Sequence, residues 1–245
     1  MPGTLADNLR VVMVETSHPG NIGATARAMK TMGLERLYLV NPVIFPSAEV
    51  TARAAGADDL LANAVVCKSL EKAVSDCVLV VGTTARVRRV PWSVEGPRAG
   101  AARIVETSQS GGVALVFGRE DNGLDNDELG LCNTVIQIPT NPAFSSLNVA
   151  AAVQIVCYEI MQAAGSSEIT HKSDAPLASA GQMRKLYEQM EARMTDVGFL
   201  NPRKPRLLMR RVKRLFNRAQ LDQNEINILL GFLAAVREYI KKNRD

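Results

Sequence analysis

Apolar positions along this chain fall into two alternating rhythms: short unbroken runs, and stripes spaced three to four residues apart. Residues 9–14 (LRVVMV), 37–40, 78–81, 113–117 and 135–138 are short runs suited to strands buried on both faces. Val65–Cys67 is a weaker strand candidate. Residues 22–32 are rich in Ala and Met and predict a helix, ended by Gly33 at its C′ position. Residues 50–64 predict a helix interrupted at Gly56, and Leu70–Val74 and residues 101–107 predict shorter ones. A long helix is expected over residues 146–164, where Val149, Val153, Val156 and Ile160 are spaced as one packed face. Strand, helix and strand of these lengths make βαβ units. The expected class is therefore α/β, a mostly parallel sheet with helices on both faces.

The alternation stops at residues 165–181 (GSSEITHKSDAPLASAG), a stretch of Ser, Gly, Pro and charge that reads as a linker. Helical spacing returns over residues 182–197. A second helix follows, with Leu208, Val212, Leu215 and Ala219 on one face, and a third spans residues 224–241. The chain thus divides into a core domain of residues 1–164, the linker, and a small all-helical extension of residues 182–245.

At 245 residues and 47% apolar composition, the chain is long enough for one well-buried core. No apolar run approaches the ~18 residues of a membrane span, and the first residues lack the pattern of a signal peptide. Cys67, Cys77, Cys132 and Cys157 are scattered without a CxxC pair, so they are expected to be reduced and mostly buried, without metal, in a cytoplasmic protein. Charge is unevenly placed. Eight of the 29 Lys and Arg residues lie between Arg203 and Arg218 with no acid among them, and elsewhere acids outnumber bases. That asymmetry points to a polyanion held by the extension. Arg86, Arg88 and Arg89, with Trp92, form a second candidate patch.

Several chemistries are excluded by what is missing. There is no GxxxxGK[ST] loop, no GxGxxG fingerprint and no GxSxG elbow. With only His18 and His171, a Ser-His-Asp triad has little to draw on, and no cluster has metal-ligand spacing. What remains are three small polar loops at strand ends, over residues 82–85, 118–123 and 139–148. Loops of Gly, Thr and Ser expose backbone N–H and C=O groups, which suits an adenosine-like ligand in the crevice of an open sheet.

Three segments carry a resemblance. NIGATARA from Asn21, FGREDNGL from Phe117 and SSLNVA from Ser145 resemble, in order, the three motifs of the SPOUT superfamily of 2′-O-methyltransferases. The segment VETSHPGNIGATARAMKTMGL is similar to the TrmJ-type bacterial tRNA methyltransferases in particular. The resemblance implies a trefoil knot, an obligate homodimer with sites at the subunit interface, and S-adenosylmethionine as cofactor. It places the cofactor against Thr83, Thr84, Ala85, Gly118, Ile138, Ser145, Ser146 and Leu147, with Asn148 beside them, and it makes Arg27 the essential arginine. The implied substrate is tRNA, methylated on cytidine or uridine 32 of the anticodon loop. The alternatives are rRNA, another tRNA position, or a non-catalytic RNA-binding protein on the same scaffold.

The family's usual assignment makes Arg27 a base, but a guanidinium with a pKa above ~12 stays protonated. Elementary chemistry makes Arg27 a donor to a phosphate and to the developing alkoxide. Glu120 and Ser146 are then the expected catalytic partners, orienting Arg27 or relaying a proton; the alternative for Glu120 is a loop carboxylate that holds Arg119 or a helix N-terminus. Asn21 is expected on the substrate side, where it and Asn148 shape the site. Arg86, Arg88, Arg210, Arg211, Lys213 and Arg214 are expected to contact the RNA backbone, a sequence-blind and salt-dependent interaction.

Overall fold

The computed structural model describes residues 3–85, 93–165, 175–203 and 207–243. Its elements in order are α1 (Gly3–Asn8), β1 (Leu9–Val14), α2 (Pro19–Thr31), β2 (Arg36–Val40), α3 (Ala48–Ala54), α4 (Asp58–Ala62), β3 (Val65–Cys67), α5 (Leu70–Val74) and β4 (Cys77–Thr83). They continue as β5 (Val94–Glu95), α6 (Pro97–Ser108), β6 (Gly112–Phe117), α7 (Asn126–Leu129), β7 (Thr134–Ile136) and α8 (Val149–Ala164). The extension contributes α9 (Ala180–Asp196), α10 (Leu208–Ala219) and α11 (Gln223–Lys242).

Among the described residues the strands form one sheet in the order β3-β2-β1-β6-β4-β7-β5, with every neighbouring pair parallel. Successive strand residues point to opposite faces, and the sequence serves both. Val11, Met13, Leu79, Val81, Leu115 and Phe117 pack against Ile22 and Met29 of α2, Ile104 of α6, and Val153 and Ile160 of α8. Val12, Val14, Val80, Ala114 and Val116 pack the other way, against Leu70 and Val74 of α5, Leu129 and Cys132. This two-sided burial is why the strands read as unbroken apolar runs.

The strand order matters for the site. β6 lies between β1 and β4, so the segments ending at Val14, Thr83, Phe117 and Ile136 deliver their loops to one edge of the sheet. α8 then returns across α6 and α2.

Several boundaries differ from the hydrophobic pattern. Residues 50–64 are two helices, α3 and α4, parted at Ala55 and Gly56. β4 takes in Gly82 and Thr83, and β7 stops at Ile136 rather than residue 138. α8 starts at Val149, because the Asn148 side chain caps it. Gly33 does adopt the left-handed conformation (φ 71°) that ends α2. The last residues of the expected linker are built into the fold: Ala178 is buried, its N–H donates to Leu221 O, and Gly181 N–H donates to Ser75 O.

In α10 the buried face is rotated from the expected one. Leu215 and Ala219 are exposed, while Val212 and Asn217 are buried and Phe216 packs against the extension's own core. The reason is polar: the Asn217 amide meets backbone carbonyls that an apolar side chain would leave without a donor. Among the described residues no helix is long and apolar enough to cross a membrane. Cys77, Cys132 and Cys157 are buried free thiols, each pushed up to about 12 chiefly by that burial.

Candidate active site

A cavity of about 300 Å³ opens at the C-terminal ends of β4, β6 and β7. Its lining includes Thr83, Thr84, Ala85, Gly118, Ile138, Ser145, Ser146 and Leu147, eight of the nine residues expected at the cofactor. The ninth, Asn148, is not among the lining residues. Phe117, Ile136, Val149 and Ala152 supply apolar wall, and Thr140, from the polar loop over residues 139–148, adds a polar group beyond the nine.

Each wall has a local cause. The Thr83 hydroxyl donates to Val116 O at 3.0 Å, and Thr84 N–H donates to Ile136 O at 3.0 Å, so the end of β4 is tied to both neighbouring strands. Gly118 permits the tight loop after β6. A Cβ there would stand 2.2 Å from Gly123 C and Leu124 N, which are backbone atoms and cannot yield. The same loop is held from outside by Arg119, whose guanidinium bonds Glu128 through two nitrogens (3.0 and 2.9 Å) and Glu15 at 2.8 Å. Those hydrogen bonds, Glu128 first, raise the Arg119 pKa further. Glu128 itself is fixed by a capping box with Asp125 at the start of α7. The Asp-x-x-Glu spacing of Asp125 and Glu128 is the sequence signal that could have found this clamp.

The three motif segments meet beside the cavity. Asn148 Nδ2 donates to Asn21 Oδ1 at 2.8 Å, and Asn21 Nδ2 donates to Glu120 Oε1 at 2.8 Å. Asn148 Oδ1 meanwhile accepts from Ala150 N–H (2.9 Å) and Ala151 N–H (3.4 Å) at the start of α8. Glu120 Oε2 accepts from Ser17 N–H and Oγ (3.1 and 2.9 Å), and Oε1 also accepts from His18 N–H (3.3 Å). His18 is the N-cap of α2 but makes no capping bond with its side chain. The Glu120 carboxylate satisfies the backbone there instead, at the positive end of the helix dipole. Burial alone would raise the Glu120 carboxyl, but the hydrogen bonds from Asn21 and Ser17 outweigh it and hold it below the usual carboxylate range.

This placement changes several expectations. Glu120 bonds Ser17, His18 and Asn21, and no bond joins it to Arg27. Both polar atoms of the Asn21 amide are engaged within the protein, and Asn148 is a helix cap and brace. Arg27 stands exposed on α2, outside the cavity lining, and among the described residues its guanidinium has no hydrogen-bond or ion-pair partner. Ser146 is exposed at the cavity. Of the basic residues, Arg210 and Arg211 are exposed, whereas Lys213 and Arg214 are half-buried. Lys213 lines a second, smaller cavity between α9 and α10. Arg86, Arg88, Arg89 and Trp92 lie outside the described residues. Among the described residues no group of three or more His, Cys, Asp or Glu side chains could hold a metal ion.

A protein-family model for the SpoU rRNA Methylase family matches residues 8–158, and one for the C-terminal domain of the tRNA methyltransferase TrmJ matches residues 181–245. The chain is similar to the tRNA (cytidine/uridine-2′-O-)-methyltransferase TrmJ of Photorhabdus laumondii, 45% identical over 97% of this chain and 100% of that one. It is also 45% identical to the tRNA (cytidine/uridine/adenosine-2′-O-)-methyltransferase TrmJ of Pseudomonas aeruginosa, over 96% of this chain and 95% of that one. Among solved structures, TrmJ from Z. mobilis ZM4 superposes with a TM-score of 0.81 at 33% identity, covering 93% of this chain and 98% of its own. With the motif segments meeting at one cavity and both ends of the chain matched, the protein belongs to the SpoU methylase family, in its TrmJ group of tRNA 2′-O-methyltransferases.

Proposed function

We propose that the chain transfers the methyl group of S-adenosylmethionine to a ribose 2′-hydroxyl of tRNA, at cytidine or uridine 32 of the anticodon loop. The observation that carries this reading is the convergence of the three motif segments, through Glu120, Asn21 and Asn148, at the edge of the cavity.

The cavity fits the cofactor expected of this family. Its volume is at the lower end of the ~300–1,000 Å³ of small-molecule sites. Its lining mixes apolar side chains for a purine face with Ser, Thr and loop backbone for polar edges. Residues around Thr84, Gly118, Ile138 and Leu147 would hold the ligand. When bound, S-adenosylmethionine supplies a methyl group already activated by its sulfonium.

The protein's own part is alignment and charge. Holding two reactants in register is worth ~7–11 kcal/mol of barrier in favourable cases. Arg27, a permanent cation without a protein partner among the described residues, is free to bind an RNA phosphate and stabilise the developing alkoxide as a charge-assisted donor. Glu120 carries four hydrogen bonds from the start of α2, which supports a positioning role rather than a proton-relay one. Ser146, at the cavity with its side chain exposed, is the better candidate for moving the proton.

The remaining assignments are part of the same proposal. Residues 1–164 form the methyltransferase domain, and residues 182–245 bind tRNA through Arg210 and Arg211, in a cytoplasmic setting. The trefoil knot is expected from the match to the SpoU methylase family. A homodimer with its sites at the subunit interface accords with Arg27 lying outside the cavity lining of its own chain.

The test is methyl transfer from labelled S-adenosylmethionine to bulk tRNA and to rRNA in parallel, followed by mass-spectrometric mapping of the modified nucleotide. Label in tRNA, as a 2′-O-methyl group on nucleotide 32, is expected. Label in rRNA alone, or in neither, would overturn the reading.

A further inference from the structure

Asn217 sits on the basic helix α10, yet it is only 3% exposed. Its Nδ2 donates to Cys132 O at 2.6 Å and to Gly130 O at 3.2 Å, and its Oδ1 accepts from Tyr187 Oη of α9. A buried amide with every polar atom engaged specifies one arrangement of the pieces it joins. Here the pieces are α10, α9 and the turn that follows α7. A second tie lies at the end of the same helix. Arg103 of α6 donates to Gln220 Oε1 at 2.8 Å and pairs with Glu95 at 2.7 Å.

The turn gripped by Asn217 is close, in bonded terms, to the cavity. It directly follows α7, whose Glu128 holds Arg119, and Arg119 is adjacent to Glu120 in the cavity lining. We propose that Asn217 is a positioning residue, setting the register of α10 against the cofactor cavity so that RNA held along Arg210 and Arg211 presents its ribose there. This rests on the proposed role of α10 in binding tRNA. Arg210 and Arg211 are exposed and stand seven and six residues before Asn217, about 10 Å along the helix. A small rotation about the Asn217 joint therefore shifts the bound backbone by an ångström or more. Misplacement by about 1 Å can cost on the order of a hundredfold in rate without loss of binding.

A phosphate contact and a register pin have different kinetic signatures. Losing the first weakens tRNA binding and flattens its salt dependence. Losing the second lowers kcat at saturating tRNA. The experiment uses full-length protein and bulk tRNA, and measures kcat, S-adenosylmethionine affinity by calorimetry and tRNA affinity by filter binding. For Asn217→Leu the expected result is a fall in kcat of about tenfold or more, with both affinities within about threefold of wild type. Arg103→Ala, which loosens the same helix from a partly exposed position, should show the same pattern at about threefold.

A folded Asn217→Leu with kcat within twofold of wild type would overturn the proposal. So would a loss of tRNA affinity that accounts for the whole effect. If Asn217→Leu does not fold, Arg103→Ala decides: lowered kcat at unchanged affinities supports the pin, and unchanged kcat overturns it. The double variant Arg210→Glu, Arg211→Glu separates the underlying reading. Its tRNA affinity should fall about tenfold or more at moderate salt. Unchanged affinity would sink the RNA-binding role of α10 itself, a failure distinct from wild-type kcat in Asn217→Leu.

Discussion

The two loops that wall the cavity after β6 and after β7 are built differently. The first is locked from behind. Arg119 is gripped by Glu15 and Glu128, and Glu120 accepts four hydrogen bonds from Ser17, His18 and Asn21. In the second, every residue from 141 to 148 is exposed. After Gln137, whose N–H donates to Glu95 O at 3.0 Å, its hydrogen bonds are local, from Thr140 Oγ1 to Ser145 O (3.2 Å), Ala143 N–H to Asn141 Oδ1 (3.0 Å) and Phe144 N–H to Asn141 O (2.9 Å). Only at Asn148 does it rejoin the network. One wall therefore carries preorganised geometry, and the other leaves its polar groups and the exposed Phe144 and Leu147 for something else to cover.

The strongest way to break that contrast is Gly118→Ala. The new methyl group meets backbone within the first loop, so we expect about 1–3 kcal/mol or more of lost stability and no measurable S-adenosylmethionine binding. Thermal melting and calorimetry check both. Wild-type cofactor affinity in a folded Gly118→Ala would mean the first wall is not the rigid one.

Next in size is Glu120→Ala, which leaves the start of α2 without its acceptor. Solvent screening limits the stability loss to about 1–2 kcal/mol, and methyl transfer should fall about tenfold or more through misplaced Arg27. The sign of its pH dependence follows from the depressed carboxyl. The contribution of Glu120 is complete above the unfolded value of ~4.3 and is lost only as pH falls through the lower folded value. The wild-type minus Glu120→Ala stability difference should therefore be flat from neutral pH down to about 5. A difference that declines across that range would contradict the assignment.

The smallest effect is expected from Asn148→Ala. It removes a helix cap worth about 1 kcal/mol and the brace to Asn21, with cofactor affinity within about threefold of wild type. A tenfold loss of S-adenosylmethionine affinity would instead make Asn148 a ligand contact, and the second wall as preorganised as the first.

What could be read from the chain follows the same division. β1, β2, β4 and β6 were legible because their residues are apolar on both faces, and Gly33 marked the end of α2. The eight cavity residues in or beside the three polar loops came from the resemblance to the family's motifs, while the loops themselves, at strand ends, were legible by their composition. Partnerships across a hundred residues were not. A loop carboxylate such as Glu120 can be read as the acceptor for a helix N-terminus, but nothing local to it says that the helix is the one begun at Pro19, or that Asn148 will reach Asn21. The buried face of α10 was misread for a related reason: periodicity counts Leu215 as core and Asn217 as surface, and only the carbonyls of Gly130 and Cys132 reverse that order.

The proposed mechanism separates the loops that would hold the cofactor from the arginine, Arg27, that would act on RNA. Its most direct test is Arg27→Ala, titrated with S-adenosylmethionine by calorimetry and assayed for methyl transfer to tRNA. Transfer should fall by about a hundredfold or more, while cofactor affinity stays within about twofold of wild type. A comparable loss of cofactor affinity, or transfer near the wild-type rate, would contradict it.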